Sequence, residues 1–140
     1  MIVAVCVEDR GGLAFNRRRV SRDALQLADL LAFCRGRRLW AAPCSKALFP
    51  NGEASLDEDF LSKAAPGELC FVEDRALLPY LDRVEAAVLY RWNRTYPYDL
   101  KLDLCPEEAG FTLAEKTEFA GSSHEKITRE VYLRKEDAHG

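Results

Sequence analysis

The chain has 140 residues, of which 48% are hydrophobic and 31% charged, with a net charge of −3. That suits one domain with a real core, and it is neither a disordered composition nor one with an apolar run long enough to span a bilayer, so a membrane partner is not expected. An acidic chain is also a poor nucleic-acid binder by bulk charge.

The charge is uneven. Residues 1–50 carry nine Lys/Arg against four Asp/Glu, and residues 51–140 carry eleven against nineteen. A basic first third either attracts an acidic partner or neutralises the acidic remainder within one fold.

Residues 2–7 (IVAVCV) are a short apolar run rich in β-branched residues, which predicts a buried strand, with Gly11-Gly12 in the loop after it. The run starts at once, without a basic leader or cleavage site, which predicts a cytoplasmic protein. Asn16 and Arg17, Arg18 and Arg19 follow. Ser21 is placed to cap a helix with Asp23 in its first turn. Leu27, Leu30, Leu31 and Cys34 give that helix its apolar face, and Gly36 ends it. Leu39–Ala42 is a second strand, closed by Pro43. Pro50-Asn51-Gly52 marks a turn. Ser55-Leu56-Asp57-Glu58 reads as a capping box opening a second helix, with Phe60, Leu61 and Ala64 inward and Pro66-Gly67 as its stop.

Leu69–Val72 is a third strand. Asp74 is placed to cap a short helix over 75–81 that Pro79 keeps short. Val84–Trp92 is a fourth strand, and residues 98–104 alternate as a half-buried segment. Residues 111–119 and 126–134 alternate around Ala120-Gly121-Ser122-Ser123, which predicts a β-hairpin with one wet face. The order predicts an α/β or α+β fold: one mixed sheet flanked by about three helices, ending in an antiparallel hairpin. Residues 1–135 are expected to form a single domain and 136–140 a loose tail.

The five cysteines are odd in number and include no CxxC pair. They read as reduced thiols. With two histidines in the whole chain and no ligand spacing, no metal site is expected.

Several residues can carry chemistry. Asn16, Arg17, Arg18, Arg19 and Arg22 form the densest polar cluster, an anion site on one reading and a basic loop paired with the protein's own acids on the other. Ser45 and Lys46 follow a strand beside Cys44, either a candidate nucleophile or an ordinary loop cysteine. Tyr90 and Trp92 share one face of a strand and are either a stacking platform for a ring or aromatic core. Ser122-Ser123-His124-Glu125 has the ingredients of a catalytic triad, but triad geometry comes from convergence in space rather than from adjacency. His124 is either a proton carrier or part of a polar loop. Glu73-Asp74 offers a general acid or base at Glu73.

The segments IVAVCV, Asp9–Gly12, Asn16, the helix from Ser21, LCFVED, Ala76–Pro79 and EVYLRK follow in an order that resembles a reduced dihydrofolate reductase. The resemblance implies that fold and gives Asp23, or Gln26 by a gapless count, the place of the family's helix carboxylate. In that family a glycine pair follows the strand where Glu73-Asp74 stand here. Carboxylates there reverse the electrostatics of a phosphate site, which argues against a nicotinamide cofactor. The segments Asp9–Asp23, Tyr90–Pro97 and Phe119–Tyr132 are also similar to a small uncharacterised bacterial family, some of whose members carry a ribonuclease Z label. Two histidines cannot build the HxHxDH cluster of such a nuclease.

The leading expectation is therefore binding of a small anionic, phosphorylated or heterocyclic ligand between the Asn16–Asp23 segment and the sheet, with no cofactor. A small-molecule enzyme using Asp23 or Glu73, reductase-like or other, is the second. A homodimeric interaction protein is the third.

Overall fold

The computed structural model describes residues 1–135, and the expected tail lies outside them. The main sheet has seven strands: β1 (Ile2–Val7), β4 (Leu39–Ala41), β5 (Ser55–Leu56), β6 (Leu69–Phe71), β7 (Ala86–Arg91), β9 (Phe111–Phe119) and β10 (Ile127–Arg134). Their spatial order is β5-β4-β6-β1-β7-β10-β9. The five strands from β5 to β7 run parallel, and β10 is antiparallel to both β7 and β9. A small second sheet joins β3 (Arg18–Arg19), β2 (Gly12–Phe15) and β8 (Leu100–Lys101).

The central strands are apolar along their whole length because both sheet faces are covered. Val3, Val5 and Val7 pack on one side with Phe60, Leu61, Leu77 and Phe111. Ile2 and Ala4 pack on the other with Leu30, Cys34, Val88 and Tyr90. Helix α1 (Ala24–Phe33) supplies Leu30 to that second core.

Three local readings are corrected. Asp23, not Ser21, is the N-cap of α1, accepting hydrogen bonds from the Leu25 and Gln26 N–H groups. Ser55-Leu56 pairs with β4 as an edge strand instead of opening a helix, and α2 is a single turn, Phe60–Lys63. Its inward residues are nonetheless Phe60, Leu61 and Ala64. Asp74 caps nothing. At the start of the 3-10 helix Leu78–Arg83, the N–H groups of Leu77 and Leu78 donate to the Asp103 carboxylate.

The arginine segment is a hairpin. Ala14 pairs with Arg19 and Phe15 with Arg18, which leaves Asn16-Arg17 as a two-residue loop. Both loop residues have positive φ, 50° and 63°. That is the backbone of the turn whose twist matches paired strands, and Asn-Gly is its preferred sequence. Here an arginine occupies the glycine position, at a cost of about 1–2 kcal/mol.

Candidate functional site

Cleft-lining residues lie just beyond the carboxyl ends of the parallel strands. Cys44 follows β4 and Glu73-Asp74 follow β6, while the β2–β3 hairpin folds over them. Between these elements is a cleft of about 430 Å³. Ala14, Arg17, Arg18, Arg19, Ser21 and Arg22 line one wall, and Cys44, Glu73 and Asp74 the other.

The two carboxylates are already partnered. Arg19 grips Glu73 through two nitrogens, Nε to Oε2 at 2.6 Å and Nη2 to Oε1 at 3.1 Å. Ser45 Oγ donates to the same carboxylate at 2.7 Å. Asp74 is held by Arg75 at 2.8 Å. Arg17, Arg18 and Arg22 are exposed and belong to none of the ion pairs among the described residues. Cys44 is a poor nucleophile here: burial, together with Asp74 3.5 Å from its sulfur, pushes the thiol up from its ordinary range.

Behind the cleft, side chains from three distant parts of the chain converge. His124 Nδ1 lies 3.0 Å from Asp23 Oδ2, and His124 Nε2 lies 3.0 Å from Ser21 Oγ. Tyr96 Oη approaches the same Nε2 at 2.9 Å. Trp92 stacks on the imidazole with ring centroids 4.6 Å apart. His124 is 4% exposed and Asp23 2%. Burial pushes the Asp23 carboxyl up, but N–H donors of Ser123 and Ser122, the His124 ring and the Gln26 N–H outweigh it and hold it well below the ordinary carboxylate range. The Asp23 carboxylate is an acceptor for a proton on Nδ1, the tautomer in which Nε2 faces the Ser21 and Tyr96 hydroxyls as an acceptor.

This arrangement redistributes the sequence candidates. Arg17, Arg18, Arg19 and Arg22 come together at the cleft, with Glu73. Ser45 is buried beneath Glu73 and does not line it. Asn16 lies on the outer side of the hairpin. Lys46 borders a separate cavity of about 760 Å³ with Pro43, Phe49 and Leu56. Tyr90 is core, with its hydroxyl donating to Asp29 Oδ2 at 2.6 Å. Trp92 is also core, 1% exposed, so the proposed stacking platform is closed to a ring on that side. The Asp23 carboxylate is engaged by backbone N–H groups, Ser123 Oγ and the His124 ring.

Sequence reasoning passed over Ser21 and Tyr96 as partners of His124. The available signal was a lone histidine among small polar residues, which needs buried partners if it turns inward. Gly121 belongs to this site by close approach: a Cβ there would lie 2.5 Å from Asp23 Oδ2 and 2.8 Å from Ile127 Cδ1. Gly121→Ala is expected to lower stability by about 2–3 kcal/mol through overpacking, read as a fall in urea midpoint. An unchanged midpoint would show that Asp23 is not fixed where it is described.

No protein-family model matches the sequence, and no curated protein matches it. Among solved structures, it is similar to dihydrofolate reductase from Enterococcus faecalis, complexed with NADP(H) and RAB-propyl, with a TM-score of 0.69 at 9% identity over 97% of each chain. The fold is therefore dihydrofolate reductase-like. Among the described residues no helix is long and apolar enough to cross a membrane.

Proposed function

We propose that this protein binds a small anionic ligand, phosphorylated or carboxylated, in the arginine-lined cleft and does so without a nicotinamide cofactor. One observation carries the reading. Arg17, Arg18 and Arg22 line the cleft and belong to no ion pair among the described residues, while the carboxylates opposite are already neutralised by Arg19 and Arg75. Four cleft arginines against two carboxylates leave a net positive site, and guanidinium forks match phosphate and carboxylate oxygens. The position supports the reading, since open α/β sheets bind ligands outside the carboxyl ends of their strands. The strained loop supports it too: holding Arg17 where glycine is preferred suggests that its side chain is wanted there.

The residues do not fit a dinucleotide pyrophosphate beyond β6. Glu73 and Asp74 follow that strand one residue on, and the N–H groups of Leu77 and Leu78 at the start of the short 3-10 helix after them are taken by Asp103. An approaching phosphate would meet carboxylates instead of free backbone donors.

Inorganic pyrophosphate tests this. It is expected to raise the melting temperature, less so at higher salt. Arg18→Ala and Arg22→Ala are each expected to weaken binding roughly 10- to 100-fold, the worth of a charge-assisted hydrogen bond. Stabilisation by NADPH that survives both substitutions would overturn the proposal.

A further inference from the structure

We propose that Ser21 is a nucleophile served by His124 and Asp23, and that the cleft cleaves carboxylic esters bearing an anionic group. The proposal rests on the anion reading above, which supplies the grip on the substrate.

The geometry has the order that nucleophilic catalysis requires. Ser21 Oγ is 3.0 Å from His124 Nε2, and His124 Nδ1 is 3.0 Å from Asp23 Oδ2. A hydroxyl, an acceptor nitrogen and a carboxylate that fixes the tautomer therefore lie in one hydrogen-bonded line. Of the three, only Ser21 lines the cleft; His124 and Asp23 are buried behind it. Trp92 holds the imidazole plane by stacking. A second observation shows a polar space beside Ser21, large enough for one water molecule. Trp92 lines a narrow cavity of about 10 Å³ together with Ser21, Arg19 and Glu73. Its indole Nε1–H is buried without a partner among the described residues. A purely architectural histidine needs neither a hydroxyl at a cleft wall nor an unused donor next to it.

The step balances without an oxidant or reductant. Ser21 Oγ bonds to the ester carbonyl carbon as its proton passes to His124 Nε2. The carbon–alkoxide bond then breaks, and Nε2 returns the proton to the leaving alcohol. Water attacks the acyl-serine, gives a proton to Nε2 and releases the acid, and Ser21 recovers its proton. Arg18 and Arg22 border the same cleft and supply positive charge toward the developing oxyanion. Tyr96 Oη, also on Nε2 and 3.4 Å from Ser21 Oγ, competes for the lone pair in the free protein.

The test uses diisopropyl fluorophosphate, a neutral probe that needs no anion site, on the full chain with the adduct located by mass spectrometry. Ser21 is expected to be the modified residue. His124→Gln is expected to slow labelling about 100-fold or more, and Tyr96→Phe to speed it. Asp23→Asn is expected to slow the labelling step without changing the probe concentration for half-saturation, a split that loss of fold does not produce. Saturating pyrophosphate is expected to protect Ser21. Absence of an adduct at Ser21 on the folded wild-type protein overturns the proposal without any variant. If pyrophosphate binds but Ser21 stays unlabelled, the nucleophile fails and the anion site stands. If Ser21 is labelled and pyrophosphate neither binds nor protects, the nucleophile stands and the anion reading fails.

Discussion

Asp23→Ala is expected to lower the unfolding free energy by about 3–5 kcal/mol, the range for removing a fully engaged buried carboxylate. Five donors lose their acceptor at once, the N–H groups of Leu25, Gln26, Ser122 and Ser123 and His124 Nδ1, while Ser123 Oγ keeps the Arg22 carbonyl. The first two are a helix cap worth about 1 kcal/mol. The others tie the β9–β10 loop to the start of α1, so their loss unfastens two elements about a hundred residues apart. In a chain of this size the melting temperature should fall by roughly 10–20 °C. Asp23→Asn should cost less, because Asn caps as well as Asp. The same carboxylate sets an acid limit. Asp23 and Glu8 are both held below the ordinary carboxylate range, against the upward push of burial, by N–H donors. A depressed folded value means that the unfolded chain takes up protons first. The stabilisation is complete above the unfolded value of about 4 and drains away as pH falls below it. Urea midpoints at pH 6 and pH 3.5 should therefore fall further apart in the wild type than in Asp23→Ala. Equal differences would remove Asp23 from the acid response.

The parts of the fold that local pattern specifies were legible in the sequence. IVAVCV and LCFV are continuous apolar runs because both sheet faces are covered, and the strands expected at 111–119 and 126–134 do pair as an antiparallel hairpin, but not with one wet face each: β9, at the sheet edge, is exposed on both sides over most of its length, and β10, between β7 and β9, is buried at consecutive residues. Where two local signals competed, tertiary contact decided. Ser21 and Asp23 are both capping residues two positions apart, and the loop that donates to Asp23 chose between them. Ser55-Leu56-Asp57-Glu58 has the residues of a capping box, but the edge of β4 takes its first two into the sheet, and the Asp57 carboxylate instead accepts from the Asp59 N–H two residues on. The site was half legible. A run of arginines is visible in any reading, but which of them the protein would claim for itself was not, since the Arg19–Glu73 pair spans 54 positions. His124 and Asp23 were visible as candidates, but nothing local in the sequence showed that they would meet each other and Ser21 across about a hundred positions.

Arg19→Ala is expected to cost about 2–3 kcal/mol, below the full value for a buried pair because its side chain is 24% exposed. The loss strands Glu73, whose side chain is 10% exposed and, among the described residues, keeps Ser45 as its one donor. Glu73→Gln removes the negative charge while keeping the side chain's shape and an acceptor for Ser45, and it should be milder. In Arg19→Ala/Glu73→Ala the two costs should not add, since neither partner is left to be stranded; a coupling of about 1–3 kcal/mol is expected. The pair also divides stability from function. Glu73→Gln frees Arg19 to face the cleft and should tighten pyrophosphate binding several-fold, whereas Arg19→Ala should weaken it. A protein whose arginines serve only to balance its own acids would show the same coupling in stability and no change in pyrophosphate affinity in either direction. Opposite shifts in affinity from the two sides of one ion pair would mark Glu73 as the residue that tempers an anion site, in the place where a carboxylate is least suited to a cofactor phosphate.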